Sequence, residues 1–238
     1  MPWIIGARDV IARGEIGMEI AAKHEQAGTA GMLNELLARS GTAAHPYAGS
    51  TELLSGSEAA RNLADAVHYL CVLHGRLPSV VDLASRKVTL EQSKGWMQDA
   101  ATGFALERTY LTRLVVAVGP LPSTPGQSEC EAAVVSQHHA LEMLARSERT
   151  GCAPGAAIGL VLDWAAVRPV LDAAAHRFGL APMECALPNE AATRAFADEI
   201  ADTPATARAL RFGMEQILIQ HGGLWSLLES REHARRHH

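Results

Sequence analysis

Between Lys94 and Phe178 lie three segments in which apolar residues recur at helical spacing, separated only by short turns. No other feature of the chain restricts its fold so strongly. The first stripe is Met97, Ala100, Phe104, Glu107, Leu111, Leu114 and Val118. The second is Glu131, Val134, His138, Leu141 and Ala145, and the third is Leu160, Trp164, Val167, Leu171, Ala174 and Phe178. Recurrence at three and four residues puts each set on one face of a helix. Gly119-Pro120, Gly151 and Gly179 stop the three segments. Pro169 falls inside the third and predicts a kink or a split after Arg168.

The rest of the chain reads the same way. Helices are expected at Leu33–Arg39, at Ser57–His74 with Ser55 or Ser57 as cap, and from Pro78 through Ser85. Others follow at Asn189–Ala201 and Thr203–His221, where Gly222-Gly223 is expected to stop the chain before a last short helix, Leu224–Glu232. Only 5% of residues are aromatic and no segment alternates as a strand would, so nothing opposes an all-α reading. Short loops between long helices predict an antiparallel helical bundle of about six to eight helices. Residues 1–31 are a weakly patterned N-terminal extension, with an apolar Pro2–Ile5 and a helix at Asp9–Ala27 broken by Gly14 and Gly17. Residues 32–232 form one helical-bundle domain, and 233–238 are a His/Arg-rich tail.

Several function classes drop out. A net charge of -5 gives no long-range pull toward nucleic acid or an anionic membrane. No apolar run reaches the length of a membrane span, because Asp163 and Arg168 interrupt the nearest one. The four cysteines, Cys71, Cys130, Cys152 and Cys185, form no C-x-x-C pair and read as reduced thiols in a bacterial-type cytoplasm. Glycine-rich phosphate loops, G-x-S-x-G and H-E-x-x-H are all absent.

Chemistry has one place to sit. Glu107 and His138 both fall about 16 Å from the turn between their helices, so they are expected to face each other inside the bundle. Asp163 and Arg168 flank the Trp164 stripe at that level. A carboxylate opposite an imidazole can move protons or bind a metal, and it can equally be a polar contact that satisfies a core. Glu131 fits a capping box with Ser128. His74 and His221, each just before glycine, fit helix C-termini, where an imidazolium is favoured. Asp172 and His176 are expected in a solvated row with Arg168, and Asp65, His68 and Cys71 on an exposed edge. Ferritin-like di-iron bundles carry paired Glu-x-x-His motifs. Here Glu107 is followed by Arg108-Thr109-Tyr110 and Glu131 by Ala132-Ala133-Val134, so the pairs are missing.

The leading reading is a helical-bundle protein with a non-catalytic binding, assembly or regulatory role, no cofactor, and self-association or a protein partner. The alternative is an iron- or manganese-dependent oxidase or hydroxylase with Glu107, Glu131, His138 and Asp163 as metal ligands, His74 being a further ligand in that reading.

Overall fold

The computed structural model describes residues 28–88 and 91–237. Those residues contain nine α-helices and no strand, as the patterning predicts. α1 covers residues 28–40 and so reaches back into the segment 1–31. Residues 1–27, with the expectations for Pro2–Ile5 and Asp9–Ala27, lie outside the described residues. Two 3-10 turns, Thr42–Ala44 and Pro46–Gly49, lead to α2 (Thr51–Leu54). Then come α3 (Ala59–His74), α4 (Val80–Ser85), α5 (Glu91–Val118), α6 (Gln127–Ala145), α7 (Cys152–Arg177), α8 (Glu190–Ile200) and α9 (Pro204–Arg236).

Local chemistry explains the starts of several helices. Ser79 and Asp82 make a reciprocal capping box that opens α4. Asn189 accepts from the Ala192 amide at 2.9 Å at the start of α8. Thr203 accepts from the Thr206 amide at 3.1 Å, with Pro204 at the first position of α9.

Four expectations about boundaries are corrected. α3 is capped by Glu58 without a side-chain bond, not by Ser55 or Ser57. α6 begins one residue earlier than Ser128, so its cap is Gly126, with φ 73°, and no capping box forms. Glu131 instead accepts from Gln127 Nε2 at 2.8 Å on the surface. α7 runs unbroken through Pro169. Pro169 and Ala165 are both exposed, so the carbonyl that loses its partner faces water. α9 runs unbroken through Gly222-Gly223, 33 residues in all, and the supposed tail boundary at 233 falls inside it. A Cβ on Gly223 would stand 2.7 Å from Gln137 Nε2 on α6. That amide donates to the Gln220 carbonyl at 3.2 Å. The glycine is therefore a point of helix contact, not a stop.

α7 is the centre of the molecule. Eighteen of its 26 residues are buried, which is the pattern of a helix surrounded by others. It packs on α3, α4, α5, α6, α8 and α9. Its closest partner is α9, and the reason is glycine. Gly151, Gly155 and Gly159 recur every fourth residue, and Gly213 answers them from α9. A Cβ on Gly155 would lie 2.7 Å from the Leu210 Cα, and one on Gly213 would lie 2.9 Å from the Cys152 carbonyl carbon. Backbone meets backbone there without side chains between. No described helix is long and apolar enough to cross a membrane; the apolar run in α7 is the core.

Chain order does not give the neighbours. α3 packs on both α5 and α6, while α5 and α6 make almost no direct contact despite the short connection between them. This arrangement decides what the ionisable residues of the core can meet.

Candidate functional site

The core holds a polar chain built around α7, hydrogen-bonded in two stretches that meet at the edge-on rings of His74 and Trp164. At one end is Thr42, in the turn after α1. Its amide donates to Asp163 Oδ1 at 2.7 Å and its hydroxyl to Asp163 Oδ2 at 2.6 Å. Trp225 Nε1, from α9, donates to the Thr42 oxygen at 2.9 Å. Asp163 Oδ2 also takes a 2.6 Å bond from His221 Nδ1. His221 Nε2 then meets His74 Nε2 at 2.8 Å. The His74 ring stands edge-on to Trp164 and Phe104. Trp164 Nε1 donates to Glu107 Oε2 at 2.8 Å, and Arg168 Nη1 donates to Glu107 Oε1 at 2.7 Å. Arg168 Nε and the Tyr110 hydroxyl close the chain on Asp172, each at 2.9 Å.

Each proton position follows from the acceptors. Burial pushes the Asp163 carboxyl upward, but donation from His221 and Thr42 outweighs it and holds the group below its usual 3.8. Asp163 is thus a carboxylate that only accepts, and His221 Nδ1 carries a proton. In the neutral pair His221 Nε2 then accepts, so His74 Nε2 is the donor. Burial pushes His74 well below 6.5, and the nearby His221 and His138 push the same way. His74 therefore stays neutral.

The signs predict one pH effect. The unfolded chain protonates His74 near its ordinary 6.5 while the folded protein does not, so stability is lost as pH falls below that value. Asp163, depressed from 3.8, adds a second loss only below that pH. Urea unfolding at pH 5.5 is expected to give a value about 1 kcal/mol below that at pH 7.5. His74→Gln should be less stable at pH 7.5 and lack that slope; an unchanged slope would mean that His74 titrates freely in the fold.

The structure places the four proposed metal ligands apart. Glu107, 1% exposed, faces α7, and both its oxygens are taken by Trp164 and Arg168. The expected Glu107–His138 layer is corrected, because α6 does not lie against α5. His138 is half-buried and donates from Nδ1 to the Leu73 carbonyl at 2.9 Å. Glu131 is exposed in the first turns of α6. Asp163 is filled by Thr42 and His221. Among the described residues no three His, Cys, Asp or Glu side chains stand together so as to hold a metal ion, and this donor set does not fit an iron or manganese centre.

Other assignments also change. His221 lies inside α9 and does not end it; His74 does end α3 before Gly75, but burial disfavours the imidazolium expected there. Asp172 is half-buried beneath Tyr110 and Arg168. Asp65, expected at an exposed edge, is buried against Arg231 and Arg235 at 2.9 and 2.5 Å. Patterning missed the parts that Thr42, Tyr110, Trp225 and His221 play in this chain. His221 is legible as the continuation of the Met214–Ile217–Leu218 stripe once Gly222-Gly223 is allowed inside a helix; nothing local marks Thr42.

Little space reaches the chain. Beside His74 and His138 there is a cleft of about 10 Å³, also lined by Leu73, Ser79 and Glu142, room for one water. An open recess of about 780 Å³ lies elsewhere, between α5 and α8. Its walls are small: Gly95, Thr102 and Gly103 on α5, Ala192 and Ala195 on α8. Trp96 and Phe196, stacked at 4.2 Å, lie at its base. The missing side chain of Gly103 lets the Ala186 backbone come close and form the third wall. Asp99 and Glu199 line the recess, and none of the lining residues is Lys or Arg.

Among the described residues, fold and site together define an all-helical protein with an internally bonded polar core and a broad recess between α5 and α8. The chain belongs to a family of unknown function, DUF6975, whose model matches residues 37–236. That span takes in the whole polar chain and the recess. No curated protein matches the chain, and no solved structure does.

Proposed function

We propose that the protein is a non-catalytic binding module, and that the recess between α5 and α8 receives a segment of a partner protein carrying basic side chains. The observation that carries this reading is the recess itself: about 780 Å³ of open space with small walls and Asp99 exposed on its lining. Its size falls within the range of ligand sites. Glycine and alanine walls suit the close approach of a helix, and the exposed Asp99 favours a cationic one. The buried histidines support the same view from the other side. Their bonds are filled by neighbours, and the cleft beside them holds no substrate-sized space.

The test uses two synthetic helical peptides, one of alanine and lysine and one of alanine and glutamate, titrated against labelled protein by NMR. The lysine peptide is expected to shift the amides of residues 95–103 and 192–199; the glutamate peptide is not. Asp99→Lys should weaken the lysine peptide about tenfold with no change in Tm, since Asp99 is exposed. Ala195→Trp should block the recess. Equal binding of both peptides, or binding indifferent to Ala195→Trp, would refute the reading.

A further inference from the structure

Among the described residues seven large apolar side chains are exposed, and four of them, Val135, Met143, Phe212 and Ile219, lie on α6 and α9. These two helices run antiparallel, side by side. Gln137 meets Gly223 and Gln220, and further along Arg149 lies over the Phe212 ring at 5.4 Å. On α6, Ala132, Ala133, Ser136, Ala140 and Met143 are exposed. On α9 the exposed residues are Phe212, Ile219, Gly223, Ser226 and Ser230. Recurrence at helical spacing gives each helix one outward row. Neither row contains Lys, Arg, Asp or Glu, although charged residues make up 20% of the chain.

Charge collects instead at the two ends of this face, with opposite sign. At the start of α6, Glu129 and Glu131 are exposed, and the side chains that bond them, Ser128 and Gln127, are neutral. At the far end Glu142 and Glu148 are taken by Arg146 and Lys87, and Glu215 by Arg39. Arg149 and Arg208 remain there as exposed cations, Arg208 one turn before Phe212 on α9. From Phe212 to Ser230 the face is roughly 27 Å long and, across two helices, roughly 20 Å wide. With its charged ends it approaches the footprint of about 800 Å² per partner that a specific complex uses.

We propose that the α6–α9 face pairs two copies of this chain about a two-fold axis that crosses the helices. An axis in that direction turns one copy end for end. The Glu129 end of each copy then meets the Arg149 and Arg208 end of the other, and the pairing occurs twice in one interface. An axis along the helices would set acid against acid and is opposed by the same charges. At the centre, Ala140 and Gly223 let the backbones approach closely. The face carries its own complement, so a second copy matches it at both ends. None of its residues lines the α5–α8 recess, and the pairing is independent of what that recess binds.

The experiment is sedimentation velocity on the full chain at roughly 1 to 100 μM, where an interface of this size is occupied. The expected species is a dimer. Ala140→Arg, at an exposed position, should keep its Tm and weaken the dimer more than about tenfold, because it puts an unpaired charge at the centre. Val116→Arg, on α5 and 79% exposed outside the face, should leave the dimer unchanged. Arg208→Glu should weaken it several-fold, and adding Glu129→Arg should recover most of that loss. The proposal is overturned by a monomer across the whole range, or by a dimer indifferent to Ala140→Arg. Equal loss in Val116→Arg, or an Arg208→Glu defect that Glu129→Arg does not repair, would also overturn it.

Discussion

Gly213→Ala is expected to lower the unfolding free energy by about 3 kcal/mol. The same change in an ordinary helix interior would stabilise by up to about 1 kcal/mol. The sign reverses because of what the methyl meets. At Gly213 it would run into the Cys152 carbonyl, with the carbonyl carbon and the Ala156 nitrogen both at 2.9 Å. These are backbone atoms of α7 and cannot rotate away, so the two helices must separate. Separation also stretches the polar chain, since α7 carries Asp163 and α9 carries His221, bonded at 2.6 Å. Gly222→Ala supplies the control on the same helix. Its Cβ would meet nothing within 4 Å, and it should raise stability. Urea titrations of the two variants side by side check this; equal effects would mean that α7 and α9 are not in backbone contact.

Asp163→Asn is expected to cost about 3–5 kcal/mol, the penalty for breaking a buried charged contact from one side. The substitution keeps the shape and loses the acceptor. Asp163 receives three donors, the Thr42 amide and hydroxyl and His221 Nδ1. In either orientation an asparagine turns its NH₂ toward at least one of them. Thr42 then loses its hold on α7, and the turn between α1 and α2 is freed. Thermal unfolding should show a large fall in Tm, and exchange at the Thr42 amide should become fast. A loss under 1 kcal/mol would mean that Asp163 is solvated in solution.

The all-α class was legible because it rests on local periodicity. The α5 stripe from Met97 to Leu114 is buried as predicted, Glu107 included. The α7 stripe from Leu160 to Ala174 is buried too. What the sequence hid was which helices touch. The Glu107–His138 pairing assumed that helices joined by a short loop are neighbours, and here α3 takes the place beside both. Glycine was the second difficulty. As a local signal Gly222-Gly223 reads as a stop, but Gly223 is a point of approach for Gln137. With α9 cut there, His221 looked like a terminal residue when it is the central link of the chain. Thr42 was beyond reach, since its role depends on a contact with a residue on a distant helix.

The central claim is that His74, His221 and Asp163 are bonded to one another inside the core, with Glu107 bonded to Trp164 and Arg168. Imidazole ¹⁵N spectra across a pH titration test it most directly. The account predicts that at pH 7.5 His221 is protonated on Nδ1 and His74 on Nε2, and that His74 stays neutral well below pH 6.5. A His74 that takes up a proton near 6.5, or that exchanges between tautomers as a solvated histidine does, would contradict it.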